Sequence, residues 1–135
     1  MRMLLKEKRG GILTKRVIIA GCRNYNNYAE AKKFIDLYLK ELKKNCDIII
    51  VSGGCTGADT LGERYAAENN IKVEKHPANW DKYGKRAGPV RNKEMAQISD
   101  YLICFWDGKS TGTSSMIRYA RIFGLPTRIK YIKNK

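Results

Sequence analysis

Apolar stretches of strand length alternate with segments of helical spacing from Arg16 almost to the end of the chain. The stretches rich in apolar and β-branched residues predict strands at 17–20, 48–51, 71–74, 101–106 and 127–132. The segments between them predict helices at 27–44, 58–69, 89–98 and 111–123. Strands that alternate with helices through short loops form parallel sheets with right-handed crossovers. The pattern therefore predicts a doubly wound α/β domain with a mainly parallel, five-stranded sheet and helices on both faces.

The first 15 residues differ from the rest because they show neither helical nor strand periodicity. They contain five basic residues, one acidic residue and the pair Gly10-Gly11. We predict a basic N-terminal extension at 1–15 and one domain at 16–135, which ends in a short basic segment at 133–135. A length of 135 residues is typical of one domain, and the chain has no internal repeat that would indicate a second.

The chain carries 27 Lys and Arg against 13 Asp and Glu, which gives a formal net charge of +14. A positive field attracts single-stranded nucleic acid and small phosphorylated ligands alike, and lysines scattered over helix faces can also serve solubility alone. The longest apolar runs, at 17–22 and 101–106, are far shorter than the roughly 18 residues that cross a bilayer. We therefore expect neither a disordered polar chain nor a membrane partner.

The cysteines are widely spaced, at Cys22, Cys46, Cys55 and Cys104, and His76 is the single histidine. Without a C-x-x-C pair the sequence predicts no metal site and no required cofactor. The N-terminus has no apolar stretch followed by a small-residue cleavage site, so we expect a cytoplasmic protein with reduced thiols. His76 has no evident acidic or nucleophilic partner and is interpreted as a strand-end residue.

Turns rich in Gly, Ser and Thr follow three of the predicted strands, those at 17–20, 48–51 and 101–106. Ligands of open α/β sheets bind outside the carboxyl ends of the strands, where the strand order reverses. The candidate ligand-binding residues in these turns are Gly21, Cys22, Arg23, Ser52, Gly53, Gly54, Thr56, Gly57, Asp59, Asp107, Gly108, Ser110, Thr111, Gly112 and Thr113. The loops at the opposite edge show nothing comparable.

The segment SGGCTGAD at 52–59 is the sharpest feature, and KSTGT at 109–113 is its counterpart after a later strand. Glycine allows positive φ or a close approach of backbone to a ligand, and the helix that follows offers free N–H groups to an anion. Each segment alone could simply make a tight turn, but two of them can hold one ligand from both sides. The Walker and G-x-G-x-x-G patterns are absent, which disfavours ATP hydrolysis and NAD-linked redox chemistry.

Arg91 and Asn92 lie in GPVRN, and Trp80 and Tyr83 lie in the loop before it. A guanidinium can make a bidentate contact with a phosphate, and a surface arginine is the alternative interpretation of both Arg91 and Arg23. The helix dipole disfavours an arginine in a first turn, which weakly favours a ligand-binding role for Arg91. The two aromatic rings can stack on a base, or they can close the end of the core, and we favour the structural role.

Four segments follow one another along the chain and belong to the same edge of the predicted sheet. They are GCR, SGGCTGAD with LGERYA, PANWDKYGKRAGPVRN, and FWDGKSTGT. Together they resemble the YspA, cpYpsA-related SLOG family over about residues 16–132. That family is a branch of the SLOG superfamily, whose members have Rossmann-like folds. The resemblance implies a nucleotide or nucleotide-derived ligand, ADP-ribose-like compounds included, at the Gly-rich edge. It also implies a role as a ligand sensor in conflict among phages, mobile elements and hosts.

The superfamily includes the LOG phosphoribohydrolases, whose pattern has an arginine in R-x-x-x-M and a glutamate in G-G-x-G-T-x-x-E. Arg91 with Met95 resembles the first motif, but the glutamate position falls on Met116, which cannot handle a proton. Hydrolysis of an N-glycosidic bond is therefore disfavoured unless Asp59, Glu63 or Asp107 substitutes, and we lean against an enzyme.

The superfamily also includes the DNA-processing protein A family, which loads single-stranded DNA. GCR, SGGCTGAD and VRN resemble its G-S-R, S-G-x-A-x-G-I-D and P-x-R-N segments. Single-stranded nucleic-acid binding is the alternative to binding of a small ligand. Cys22, Cys55 and Thr56 depart from the nearest family pattern, so we expect an altered ligand preference. Relatives often assemble, which makes a homo-oligomer a further expectation.

Overall fold

A computed structural model of the chain describes residues 8–9 and 12–133. Its elements, in chain order, are β1 (Lys8–Arg9), β2 (Ile12–Gly21), α1 (Tyr28–Asn45), β3 (Cys46–Ser52), α2 (Ala58–Glu68), β4 (Lys72–Lys75), α3 (Trp80–Tyr83), a 3₁₀ turn (Gly84–Arg86), α4 (Ala87–Ile98), β5 (Tyr101–Trp106), α5 (Thr111–Ile122) and β6 (Thr127–Tyr131).

Five strands form a parallel sheet in the order β4-β3-β2-β5-β6, and the two-residue strand β1 adds to β2 in the antiparallel direction. The chain builds outward from β2 through β3 to β4 and then returns to place β5 on the other side of β2. The strand order therefore reverses between β2 and β5. The predicted doubly wound α/β class is confirmed, with β1 as an antiparallel addition.

The core consists of two apolar layers, one on each face of the sheet. One layer joins Ile35 and Leu39 of α1 with Tyr65 of α2, and the other joins Met95 of α4 with Met116 of α5. Ile35, Leu39 and Ala31 follow one another at four-residue steps, which is why α1 buries a single stripe. The central strands have apolar residues on both faces because helices cover both.

The strand β2 begins at Ile12, five residues before the predicted start at residue 17. Its pairing with β3 runs from Leu13 opposite Cys46 to Ile18 opposite Val51. The sequence pattern did not predict this extension because Lys15 and Arg16 interrupt the run of apolar residues. The hydrogen bonds between strands involve backbone groups and do not depend on these side chains. Residues 12–15 are therefore part of the sheet, so this strand starts inside the segment predicted as the N-terminal extension. The rest of the predicted extension, apart from β1, and residues 134–135 of the basic end lie outside the described residues.

The loop predicted before the helix at 89–98 contains the short helix α3 and the 3₁₀ turn, and α4 begins at Ala87 instead of residue 89. Asn79 starts α3 because its side-chain oxygen accepts a hydrogen bond from the Lys82 N–H at 3.1 Å. These two turns carry Trp80 along the carboxyl edge of the sheet.

Gly62 lies in the middle of α2 and faces β2. A Cβ at this position would lie 2.7 Å from Cγ2 and 2.8 Å from Cβ of Ile19. Glycine therefore lets α2 approach the sheet more closely than any other residue would allow.

Among the described residues, no helix has both the length and the apolar character that crossing a membrane would require.

Candidate ligand-binding cleft

A cleft of about 610 Å³ opens between the carboxyl ends of β2 and β5, where the strand order reverses. This is the position at which open α/β sheets bind their ligands, and the volume suits a ligand of nucleotide size. Eleven of the predicted site residues line it: Gly21, Cys22, Arg23, Asp59, Trp80, Arg91, Asn92, Ser110, Thr111, Gly112 and Thr113.

The N-terminus of α5 forms one wall of the cleft. Asp107 makes the preceding turn, because its Oδ1 accepts hydrogen bonds from the N–H groups of Lys109 at 2.9 Å and Ser110 at 2.8 Å. Within the described residues no side chain caps this helix, and the Ser110 hydroxyl contacts Cys22 Sγ at 3.2 Å. The first amides of the helix have no intrahelical acceptor, so residues 111–113 present donors and a positive dipole end to the cleft.

The loop after β3 is held together by its own side chains. Ser52 is fully buried, donates from Oγ to Glu63 Oε2 at 2.7 Å, and accepts from the Gly54 N–H at 3.1 Å. Asp59 Oδ2 accepts from the Cys55 N–H at 3.2 Å. A carboxylate of the protein itself therefore holds the position at this loop where a ligand phosphate was expected.

Gly57 joins this loop to the loop after β2. A Cβ at Gly57 would lie 2.3 Å from the carbonyl oxygens of both Cys22 and Arg23, and its φ is +78°. The Ala58 N–H donates to the Cys22 carbonyl at 3.1 Å, and Thr56 Oγ1 donates to the Arg23 carbonyl at 3.2 Å. The two loops thus form one unit with backbone in direct contact.

The remaining eight predicted residues do not line the cleft. Ser52, Gly53, Gly54, Thr56 and Gly57 shape the loop behind it, Asp107 and Gly108 make the turn before α5, and Tyr83 lies beyond Trp80. Their predicted contact with a ligand stays a prediction.

Asp59 is 5% exposed and lies in the cleft. Burial, with a further contribution from Glu63, raises its pKa from 3.8 to about 6, against the opposing effects of the Cys55 amide, the Arg91 guanidinium and the Gly53 amide. Of the three carboxyl groups considered as substitutes at Met116, Asp59 is the one that lines the cleft. Glu63 contacts Ser52 and Lys75, and Asp107 is occupied by the turn.

Arg91 and Asn92 connect α4 to both Gly-rich segments. Arg91 Nη1 donates to the Gly53 carbonyl at 2.7 Å, and Asn92 Nδ2 donates to the Gly112 carbonyl at 3.3 Å. Arg91 Nε also donates to Asn92 Oδ1 at 3.0 Å. Adjacent residues of one helix therefore fix the two segments relative to each other.

Trp80 lines the cleft and is 53% exposed. The favoured interpretation, in which it closes the end of the core, is wrong for this residue because half its surface faces solvent. Arg23 and Lys85 are exposed cations at the same cleft. An exposed indole beside two cations and a helix N-terminus suits a base that carries a phosphate.

Nine further residues line the cleft that the sequence did not predict as members of the site. They are Ala20, Asn24, Cys55, Lys85, Gly88, Pro89, Met95, Ser115 and Met116. Asn24 and Lys85 could have been found, because Asn24 follows GCR and Lys85 lies in the basic segment with Trp80. Met95 and Met116 are buried core residues, and the sequence singled them out only through the LOG motifs, as the methionine of R-x-x-x-M and as the residue at the glutamate position.

Within the described residues no three His, Cys, Asp or Glu side chains come together as a metal site. All four cysteines belong to this part of the chain and are free thiols. His76 follows β4 directly, where its backbone N–H donates to the Ser52 carbonyl at 2.8 Å, in agreement with its interpretation as a strand-end residue. The expectation that it has no acidic partner is wrong, because its Nε2 lies 3.1 Å from Glu74 Oε1.

The sheet order and the open cleft at its switch point define a Rossmann-like α/β domain. The sequence model of the YspA, cpYpsA-related SLOG family matches residues 15–83, and the chain belongs to this family. A relative, the Gene 61 protein of Mycobacterium phage D29, is 33% identical in an alignment of length 119 that covers 83% of this chain and 93% of that protein. The resemblance inferred from the sequence is confirmed.

Solved structures support the fold. DNA processing protein A from Streptococcus pneumoniae superposes with a TM-score of 0.65 at 18% identity over 86% of this chain, which spans half the length of that protein. The protein TM1055 gives 0.61 at 19% identity over 84% of this chain and 72% of its own. DNA processing protein A from Helicobacter pylori, described with a single-stranded DNA binding mode, gives 0.58 at 22% identity over 88% and 66%.

Proposed function

We propose that the chain binds a nucleotide or a nucleotide-derived phosphorylated ligand, such as an ADP-ribose-like compound, in the cleft between β2 and β5. The observation that carries the proposal is the start of α5, which no described side chain caps and which lines the same cleft as an exposed tryptophan. The phosphate would accept hydrogen bonds from the amides of residues 111–113, and Trp80 would stack on the base.

Charge supports the same placement of the phosphate. Arg23 and Lys85 stand at the cleft with exposed side chains, whereas Asp59 already holds an amide of the loop after β3. A ligand phosphate at that loop would have to displace a carboxylate from its hydrogen bond. At α5 the carboxylate of Asp107 accepts from the amides of Lys109 and Ser110, which precede the helix, so we place the phosphate at the next amides, those of residues 111–113.

The test measures binding of AMP, ADP and ADP-ribose by calorimetry, with Gly112→Asp and Gly112→Ala variants. A Cβ at Gly112 would have no described heavy atom within 4 Å, so both variants are expected to fold. The aspartate places a negative charge where the phosphate would bind and is expected to weaken affinity at least tenfold. The matched alanine variant adds the same Cβ without charge and is expected to stay within threefold of the wild type. Equal affinities in the two variants would count against the proposal.

Binding of single-stranded DNA or RNA along the same edge is the second candidate. The net charge of +14 and the likeness to a protein described with a single-stranded DNA binding mode favour it. Affinity for oligonucleotides would then grow with their length and fall steeply as salt rises, because each neutralised phosphate releases counterions. A salt-tolerant affinity for AMP that an oligonucleotide does not exceed would reject this candidate.

The biological role that fits a small ligand is that of a cytoplasmic sensor in phage or mobile-element conflict. A relative encoded by a mycobacteriophage supports this setting. Assembly into a homo-oligomer stays a prediction, which light scattering with and without ligand would test.

A further inference from the structure

A second cleft, of about 680 Å³, opens at the same carboxyl edge on the other side of the β2–α1 loop. Its walls include Asn24, Asn26 and Glu30 from this loop and the start of α1, and Tyr131 and Lys133 from the end of β6. Its volume is again that of a site for a ligand of nucleotide size.

Two residues connect the clefts, one by lining both of them and the other by its contacts on either side. Asn24 lines both of them. Trp106, at the end of β5, donates from Nε1 to the Ser110 carbonyl at 3.1 Å on the side of the first cleft, and its ring lies 5.9 Å from that of Tyr131 in the second. A ligand that starts at the N-terminus of α5 can therefore extend past Asn24 to Tyr131 without leaving the sheet edge.

The second cleft is built for an uncharged ring system more than for a second phosphate. Its lining carries one cation, Lys133, and one carboxylate, that of Glu30, whose Oε1 accepts from the Tyr25 hydroxyl at 2.7 Å. Tyr131 is 65% exposed, so its ring is open to stacking. The amides of Asn24 and Asn26 each supply a donor and an acceptor, which is what the edge of a base needs.

From this arrangement we infer that the carboxyl edge takes a ligand of two nucleotide units, with a phosphate at α5, one base on Trp80 and the second base on Tyr131. The inference rests on the proposed function, since it extends the same site. Two sources share this chemistry, a free dinucleotide and a segment of single-stranded nucleic acid.

The experiment compares calorimetric affinities for AMP, the 5′-phosphorylated dinucleotide pApA and the octanucleotide dA8, all at moderate salt. Stacking on an aromatic ring is worth about 1–3 kcal/mol per base, so pApA is expected to bind roughly 5- to 150-fold more tightly than AMP. A free dinucleotide as the source predicts that dA8 binds no more tightly than pApA. A single strand predicts a further gain with length.

Variants at Tyr131 test whether its ring is responsible for the tighter binding of pApA. The ratio of the AMP dissociation constant to that of pApA is expected to fall to about 1–2 in Tyr131→Ala and to persist in Tyr131→Phe, which keeps the ring. Ile122→Ala is the matched control, because Ile122 is similarly exposed (64%) but lies at the far end of α5, outside both clefts.

The outcomes separate this inference from the proposed function. If AMP, pApA and dA8 all fail to bind, both the proposed function and the second subsite are rejected. If AMP binds and pApA binds equally, the proposed function stands and the second subsite is overturned. A tighter pApA complex that is unchanged in a folded Tyr131→Ala protein also overturns the subsite.

Discussion

The guanidinium of Arg91 donates from Nη1 to the carbonyl oxygen of Gly53 at 2.7 Å, across 38 positions of sequence. The same group lies 3.9 Å from Cys55 Sγ through Nη2. Arg91, which the sequence predicted as a ligand-binding residue, therefore makes these contacts with the protein's own loop after β3. Its first effect is to fix the shape of the cleft wall, and any contact with a ligand comes in addition.

Replacing Arg91 with alanine is expected to destabilise the fold by about 2 kcal/mol, because a part-buried carbonyl loses a charged donor. Urea unfolding monitored by circular dichroism measures the change. Arg86→Ala, which removes an exposed arginine just before the same helix, serves as the control and is expected to stay within about 0.5 kcal/mol of the wild type. Equal losses in the two variants would contradict the structural role of Arg91.

Asp59 is expected to make the protein less stable as pH rises from about 4 to about 6. Its pKa is raised to about 6 in the folded state, so the folded protein binds more protons than the unfolded chain in this window. The shift corresponds to roughly 3 kcal/mol that is lost in full above pH 6. Asp36, Glu68 and Glu74 have lowered pKa values and act with the opposite sign at lower pH.

Urea unfolding of the wild type and of Asp59→Asn between pH 4 and pH 7.5 tests this expectation. The asparagine variant cannot ionise, so its free energy of unfolding should decline less across the window. A parallel dependence on pH in the two proteins would show that Asp59 is not the group responsible.

Gly57→Ala is expected to destabilise the protein severely, by about 4 kcal/mol or more. The new Cβ would meet two backbone carbonyls, which cannot move away cheaply, and it would also add the strain of positive φ. Gly54→Ala is the matched control, since Gly54 also has positive φ (+75°) but a Cβ there has no described neighbour within 4 Å. It should lose only about 1 kcal/mol. Thermal unfolding of both variants decides whether close approach or conformation dominates.

Trp80 is expected to report occupancy of the cleft by fluorescence. It is half exposed, whereas Trp106 is partly buried and donates to the Ser110 carbonyl. In a Trp106→Phe protein the emission should come from Trp80 alone, be quenched strongly by acrylamide, and lose that quenching when AMP is added. Unchanged acrylamide quenching at an AMP concentration that saturates binding by calorimetry would place the ligand away from Trp80.

The order of the elements could be predicted from the sequence because the hydrophobic pattern is strong where both faces of the sheet are covered. The strand at 101–106 was predicted with its observed bounds, since all six residues are apolar. The early part of β2 was missed because Lys15 and Arg16 interrupt the pattern, and their backbone is paired all the same.

The position of the site could also be predicted, because turns after parallel strands meet at one edge. The sequence pattern did not predict the direction in which each polar side chain points. Asp59 faces the amide of Cys55 and Arg91 faces Gly53, and these contacts depend on distances between segments far apart in the chain. The proposed phosphate position is therefore at the second Gly-rich segment alone, whereas the sequence predicted a ligand held by both segments.

Gly62 has no side chain, and this influences the width of the cleft even though Gly62 is not a lining residue. Any larger residue there would press on Ile19 and push α2 outward from the sheet. Asp59 lies less than one turn earlier in α2, so the wall of the cleft would move with the helix. Among relatives, exchange of this glycine would offer a route to a wider or narrower site that leaves every lining residue unchanged.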